Sequence, residues 1–136
     1  MTVLIDLKGK RGVIWGVANQ RSIAWAISER LAEAGAELAF TYLNERLKAP
    51  VEKATAGLGN PMLIECDATD DAQVQSVYDH IKSEWGEIDF VVHCIAYADR
   101  DDLGGNFSDT NLQGFRTALE TSAYTLTDRA TWLSVS

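Results

Sequence analysis

Arg11-Gly12-Val13-Ile14-Trp15-Gly16-Val17-Ala18-Asn19-Gln20-Arg21-Ser22-Ile23-Ala24-Trp25-Ala26 is the stretch whose reading decides the fold. Its apolar run Val13-Ile14-Trp15 has the length of a strand buried on both faces. Gly16 ends that run, at a point where the backbone must turn sharply and a bound group could approach it closely. Ser22 then opens an apolar pattern at Ile23, Ala26, Ile27, Leu31 and Ala34, which is helical spacing. Strand, glycine turn and helix start together form a place suited to an anion, because the first N–H groups of a helix lack intrahelical partners and the macrodipole favours negative charge there. The dinucleotide fingerprint G-x-G-x-x-G is not present, since Gly16 is followed by Val17, Ala18, Asn19 and Gln20. On these features alone two readings stand: an anion site, or an ordinary strand-to-helix turn with Ser22 as a cap.

Outward from this stretch, strand-like and helix-like segments alternate, the pattern of a parallel sheet covered by helices. Gly35 stops the first helix and residues 36–42 form the second strand. Asn44 stands where it can cap a helix running to about Leu58, and residues 62–66 form the third strand. Asp70 and Gln73 have the spacing of a capping box for a helix that presents Val74, Val77, Tyr78, Ile81 and Trp85 on one face and ends at Gly86. Residues 88–95 read as the fourth strand, residues 99–110 as a polar loop, and residues 112–130 as a last helix through Phe115, Leu119, Ala123 and Leu126. Four such units predict half of a doubly wound α/β sheet with strand order 3-2-1-4. Ligands of such sheets lie outside the carboxyl ends of the strands, and Gly16, Tyr42, Asp67 and Ile95 all fall at those ends.

Composition narrows the classes. The 136 residues suffice for one domain with a real core. A net charge of −8 leaves no basic stripe for nucleic acid, so an anionic ligand would have to be held by backbone N–H groups and helix ends. No segment has the apolar length of a membrane span, and the N-terminus lacks a secretory pattern. Cys66 and Cys94 lie in apolar runs and are expected as buried thiols of a cytoplasmic protein, without a disulfide between them. His93 lies in an apolar strand with no second ligand at metal spacing, which predicts a hydrogen-bonded core histidine and no metal site. By its spacing His80 belongs to a helix surface, while Trp15 and Trp25 are expected to pack.

Gly16-Val17-Ala18-Asn19-Gln20-Arg21-Ser22-Ile23-Ala24-Trp25 closely resembles the cofactor loop of the NADH-dependent enoyl-[acyl-carrier-protein] reductases. These are divergent short-chain dehydrogenases of bacterial fatty-acid synthesis, whose glycine loop is lengthened to G-x5-S-x-A. Gly16, Ser22 and Ala24 fit that form, and Gly35-Ala36-Glu37-Leu38-Ala39-Phe40-Thr41-Tyr42 fits the second strand. The resemblance implies a Rossmann-like domain over residues 1–136, with NADH as cofactor. It further implies cofactor contacts from Gly16, Ser22, Ile23, Asp67, Ala68 and Ile95. Asp67 would accept a hydrogen bond from the adenine amine beside the Ala68 N–H, Ala68 standing where the family has valine. The competing role for Asp67 is a cap of the next helix. Ile95, followed by Ala96-Tyr97-Ala98, would pack under the nicotinamide, and Ala98 would border the enoyl substrate. Leu43 departs from the family, whose NADH-using members commonly carry Gln there. Leu43-Asn44 also lacks the basic pair of NADPH-preferring members, and Arg46 is expected to be solvated, so NADH is the expected cofactor.

The family's chemistry needs a tyrosine and a lysine seven residues later. The lysines stand at 8, 10, 48, 53 and 82, and seven positions before them are Met1, Val3, Thr41, Arg46 and Gln75. Tyr124 matches a tyrosine of the family's long helix, not the catalytic one. The resemblance runs to about Ala130, and residues 131–136 no longer follow it closely. It thus implies the N-terminal half of such a reductase, truncated to about four βα units, with no catalytic residue present. The whole protein would act on an enoyl thioester carried by acyl carrier protein and form homo-oligomers, with neither nucleic acid nor membrane as partner. A rival of another class is a non-catalytic dinucleotide-binding or regulatory α/β module.

Overall fold

The computed structural model describes residues 5–130. Residues 131–136, over which the resemblance is not expected to run closely, lie outside them. Strand β1 (Arg11–Trp15) is followed by helix α1 (Ile23–Glu33), β2 (Glu37–Tyr42), α2 (Glu45–Thr55), β3 (Met62–Glu65), α3 (Asp71–Trp85) and β4 (Phe90–His93). The four strands form one parallel sheet in the order β3-β2-β1-β4. The chain therefore steps outward from β1 to β3 and returns across the sheet to β4. That return creates the switch point between β1 and β4.

Alternation of side chains along the strands divides the core into two layers. Val13, Trp15 and Ala39 face α3 and meet Val74, Val77, Tyr78 and Ile81, the face expected from their spacing. Ile14, Leu38, Phe40 and Tyr42 face α1 and α2 and meet Ala24, Trp25, Val51 and Ala54. Trp15 and Trp25 do pack, against Tyr78 and Phe40 with ring centroids 6.3 and 6.2 Å apart.

Helix α1 corrects the first half of the expected face, while Leu31 packs on the core and Ala34 is buried as expected. Ala24, Trp25 and Ser28 are buried, whereas Ile23 is 77% exposed and Ala26 and Ile27 also look outward. Small residues at 24 and 28 bring the helix close to the sheet while Trp25 fills the gap beside Phe40. Ser28 tolerates burial because its hydroxyl donates to the Ala24 carbonyl at 2.7 Å. The capping expectations divide. Asp70 caps α3, accepting from the N–H groups of Ala72 and Gln73, whose hydrogen bonds hold its carboxylate below the usual range. Asn44 occupies the position before α2, but its side chain makes no capping bond and its Oδ1 is buried without a partner among the described residues.

The last helix is also not the single rod expected over residues 112–130. It comprises α4 (Leu112–Leu119), a π-helical turn (Glu120–Tyr124) and α5 (Thr125–Ala130). Two 3₁₀ turns, Arg100–Leu103 and Phe107–Asp109, occupy the loop before it. Strand β4 is shorter than the expected 88–95. Its last ladder bond runs from the Cys94 N–H to the Trp15 carbonyl at 2.9 Å, and beyond that point Gly16 turns β1 away.

Candidate cofactor cleft

A cleft of about 240 Å³ opens across the carboxyl ends of the strands. Gly16, Tyr42, Asp67 and Ile95 line it together, as strand-end counting predicts, and Ala68 lines it beside Asp67. Ser22 and Ile23 stand beside it at the start of α1, and Ala98 lies just past the lining residue Ala96. Asp67 is the one charged side chain in the lining, and no lysine or arginine joins it. A larger groove of about 580 Å³, bordered by Glu37, Asn60, His80 and Trp85, lies at the opposite end of the strands, away from this convergence.

Gly16 has φ +109°, a conformation side chains other than glycine rarely adopt. A Cβ there would run into the Cys94 carbonyl, so the glycine is demanded by the β1–β4 junction itself as well as by any ligand. Ser22 departs from the simple cap that its position suggests. Its hydroxyl turns back to accept from the N–H groups of Ala18 and Asn19, at 2.9 and 3.1 Å, and so pins the loop. The first N–H groups of α1, those of Ile23 and Ala24, consequently have no acceptor among the described residues.

Asp67 does not cap α3; that role belongs to Asp70. Its Oδ1 accepts from the Thr69 N–H and hydroxyl at 2.9 and 2.7 Å, and its own N–H donates to Gln73 Oε1 at 2.8 Å. The carboxylate is thereby fixed at the cleft with Oδ2 still open to a donor. Burial raises the Tyr42 hydroxyl above its ordinary range, and likewise the Cys94 thiol, so both are neutral at pH 7. Both cysteines are thiols, Cys66 buried and Cys94 only half-buried. His93 is hydrogen-bonded as expected, with Nε2 2.7 Å from Thr125 Oγ1. Because that hydroxyl donates to the Thr121 carbonyl, it accepts from His93, which places the ring proton on Nε2. No sequence signal marked Thr121, which reaches the cleft from the π-helical turn.

A parallel sheet in this order, with a loop pinned at the first strand end and a cleft over the switch point, defines an α/β domain of the dinucleotide-binding class. The family model described as enoyl-(acyl carrier protein) reductase matches residues 16–132, and the chain belongs to that family. The enoyl-(acyl-carrier-protein) reductase (NADH) 1 of Rhizobium meliloti is 48% identical over 121 residues, 89% of this chain and 44% of that one. Two solved structures superpose closely. The Bacillus cereus enoyl-acyl carrier protein reductase with NADP+ and indole naphthyridinone gives a TM-score of 0.90 at 45% identity, over 96% of this chain and 51% of that one. The Anaplasma phagocytophilum reductase in complex with NAD gives 0.89 at 38% identity, over 98% and 51%. This chain spans about half the length of the curated relatives it matches.

Proposed function

We propose that the chain is the dinucleotide-binding half of an NADH-dependent enoyl-[acyl-carrier-protein] reductase, with the strand-end cleft as its cofactor site. The carrying observation is the convergence of Gly16, Asp67, Ala68 and Ile95 on one cleft beside a helix start with open N–H groups. An anion fits that start: the N–H groups of Ile23 and Ala24 have no acceptor among the described residues, and Gly16 presents bare backbone. Asp67 Oδ2 and the Ala68 backbone would hold the adenine, and Ile95 would support the nicotinamide, with Ala98 toward the substrate. Bound there, NADH supplies the hydride that reduces the double bond of a trans-2-enoyl thioester on acyl carrier protein. The absence of any cation among the lining residues supports NADH over NADPH, whose extra phosphate would meet only Asp67 as a charge. No helix among the described residues is long and apolar enough to cross a membrane, and the proposed location is the cytoplasm.

The chain by itself would bind without turning over, since no tyrosine precedes a lysine by seven residues to protonate the enolate and hold the ribose. Titration of the 136-residue chain with NADH, NADPH and no substrate tests the reading. Saturable NADH binding is expected, weaker for NADPH and weakened about tenfold by Asp67→Ala, the loss of a hydrogen bond to a charged acceptor. An Asp67→Ala chain that melts like the parent and binds NADH equally well would contradict it.

A further inference from the structure

The backbone over residues 95–98 runs past the end of β4 with no strand partner and no helix of its own. Ile95, Ala96 and Ala98 make no hydrogen bond among the described residues. Tyr97 is the exception. Its N–H donates to Ser122 Oγ at 2.9 Å, and the same hydroxyl donates to the Tyr97 carbonyl at 3.2 Å. One side chain therefore holds both polar groups of one peptide residue in the middle of this segment. Ser122 sits in the π-helical turn, between Thr121, which lines the cleft, and Thr125, which anchors His93 of β4. A π turn of this kind is rare and short, and here it and the residue after it supply two attachments to the β4 side, Ser122 to Tyr97 and Thr125 to His93.

We propose that Ser122 is a positioning residue: its hydroxyl fixes residues 95–98 in the register at which Ile95 meets the nicotinamide end of the dinucleotide and Ala98 meets the acyl chain. The proposal rests on the cleft being the dinucleotide site. It assigns Ser122 no contact with cofactor or substrate. Because Tyr97 is exposed, water can replace the hydroxyl when it is removed, so the fold is little affected and the loss falls on the precision of the segment. The adenine end of the cleft, at Asp67 and Ala68, lies across the sheet from this clasp and is independent of it.

The test compares NADH with ADP, which lacks the nicotinamide end, on the full chain and on Ser122→Ala and Ser122→Thr. Ser122→Ala is expected to lower NADH affinity about five- to tenfold, the loss of one hydrogen-bonding group at the segment, and to leave ADP affinity unchanged. Ser122→Thr keeps a hydroxyl and is expected to restore NADH binding. In the unaltered chain, NADH but not ADP is expected to slow exchange of the Tyr97 amide, a readout that does not depend on any variant folding. Equal NADH affinity in Ser122→Ala, equal losses for NADH and ADP, no rescue by threonine, or a Tyr97 amide indifferent to NADH would each overturn the proposal while leaving the cleft as the binding site. Failure of the unaltered chain to bind either nucleotide would overturn the cleft reading, and this proposal with it.

Discussion

Strands β2 and β4 flank the same strand and differ sharply in burial. Five of the six residues of β2 are buried, whereas all four of β4, Phe90-Val91-Val92-His93, are only half-buried. Their compositions do not explain this, since Phe90-Val91-Val92 of β4 is as apolar as Leu38-Ala39-Phe40 of β2. The neighbours do. β2 has a hydrogen-bonded strand on each side and helices over both faces, while β4 pairs only with β1 among the described residues. The contrast continues into the helices. Every apolar side chain expected on α3 to face the sheet does so, but Leu112, Phe115, Leu119 and Leu126 of the last helices are largely exposed, and Phe107 before them is 94% exposed. Burial here follows what an element has to pack on, and the β4 side of this chain offers apolar surface that its own described residues do not cover.

The largest effect should separate the two sides by truncation. Phe40→Ala, at a fully buried site in β2, is expected to cost about 3–5 kcal/mol, and Val91→Ala in half-buried β4 about 1 kcal/mol. Urea titrations with matching slopes would measure both, and equal losses would remove the distinction between a closed and an open side.

Next in size is self-association. Among the described residues β4 pairs with β1 alone, and exposed apolar side chains of the last helices lie on the same side of the molecule, while the net charge of −8 opposes contact between copies only at long range. Raising sodium chloride from 0.01 to 1 M shortens the screening length from about 30 to about 3 Å and should increase the associated fraction. Sedimentation velocity reads this directly. A compact monomer at both concentrations would show that the exposed apolar surface on this side does not drive association.

The smallest effect belongs to the closed side. Hydrogen bonds from Gln73 and Ala72 lower the Asp70 pKa below its ordinary 3.8. A depressed folded value means the cap's contribution is complete above the unfolded pKa and disappears as pH falls through the folded one. Asp70→Ala should therefore melt a few degrees below the parent at pH 7 and alongside it near pH 2, as thermal scans would record. A difference that persists in acid would assign the effect to something other than the charge.

How much of this was legible in the sequence depended on whether the signal was local. The order of strands and the helix face Val74, Val77, Tyr78, Ile81 could be read because apolar positions stood out against a polar background. Helix α1 offered several apolar faces, and its true one included Ser28, a polar residue whose hydroxyl is satisfied within its own helix. Counting to strand ends was enough to gather Gly16, Tyr42, Asp67 and Ile95, while Ala68 came from the resemblance. Ser22 was found at the right place with the wrong partners, since the loop's N–H groups compete with those of the helix for one oxygen. Thr121 and Ser122 escaped notice because a π turn is a shift of backbone register, which side-chain spacing does not encode.

The most direct test is a hydrogen-exchange footprint of NADH on the full chain. Slower exchange is expected at residues 16–24, 67–69 and 94–98, which line the cleft or adjoin its lining in sequence, with residues 57–62 and 80–85 around the opposite groove unchanged. Saturable binding whose protection falls on the opposite groove, or no protection at Gly16 and Asp67 under saturating NADH, would contradict the strand-end cleft as the cofactor site.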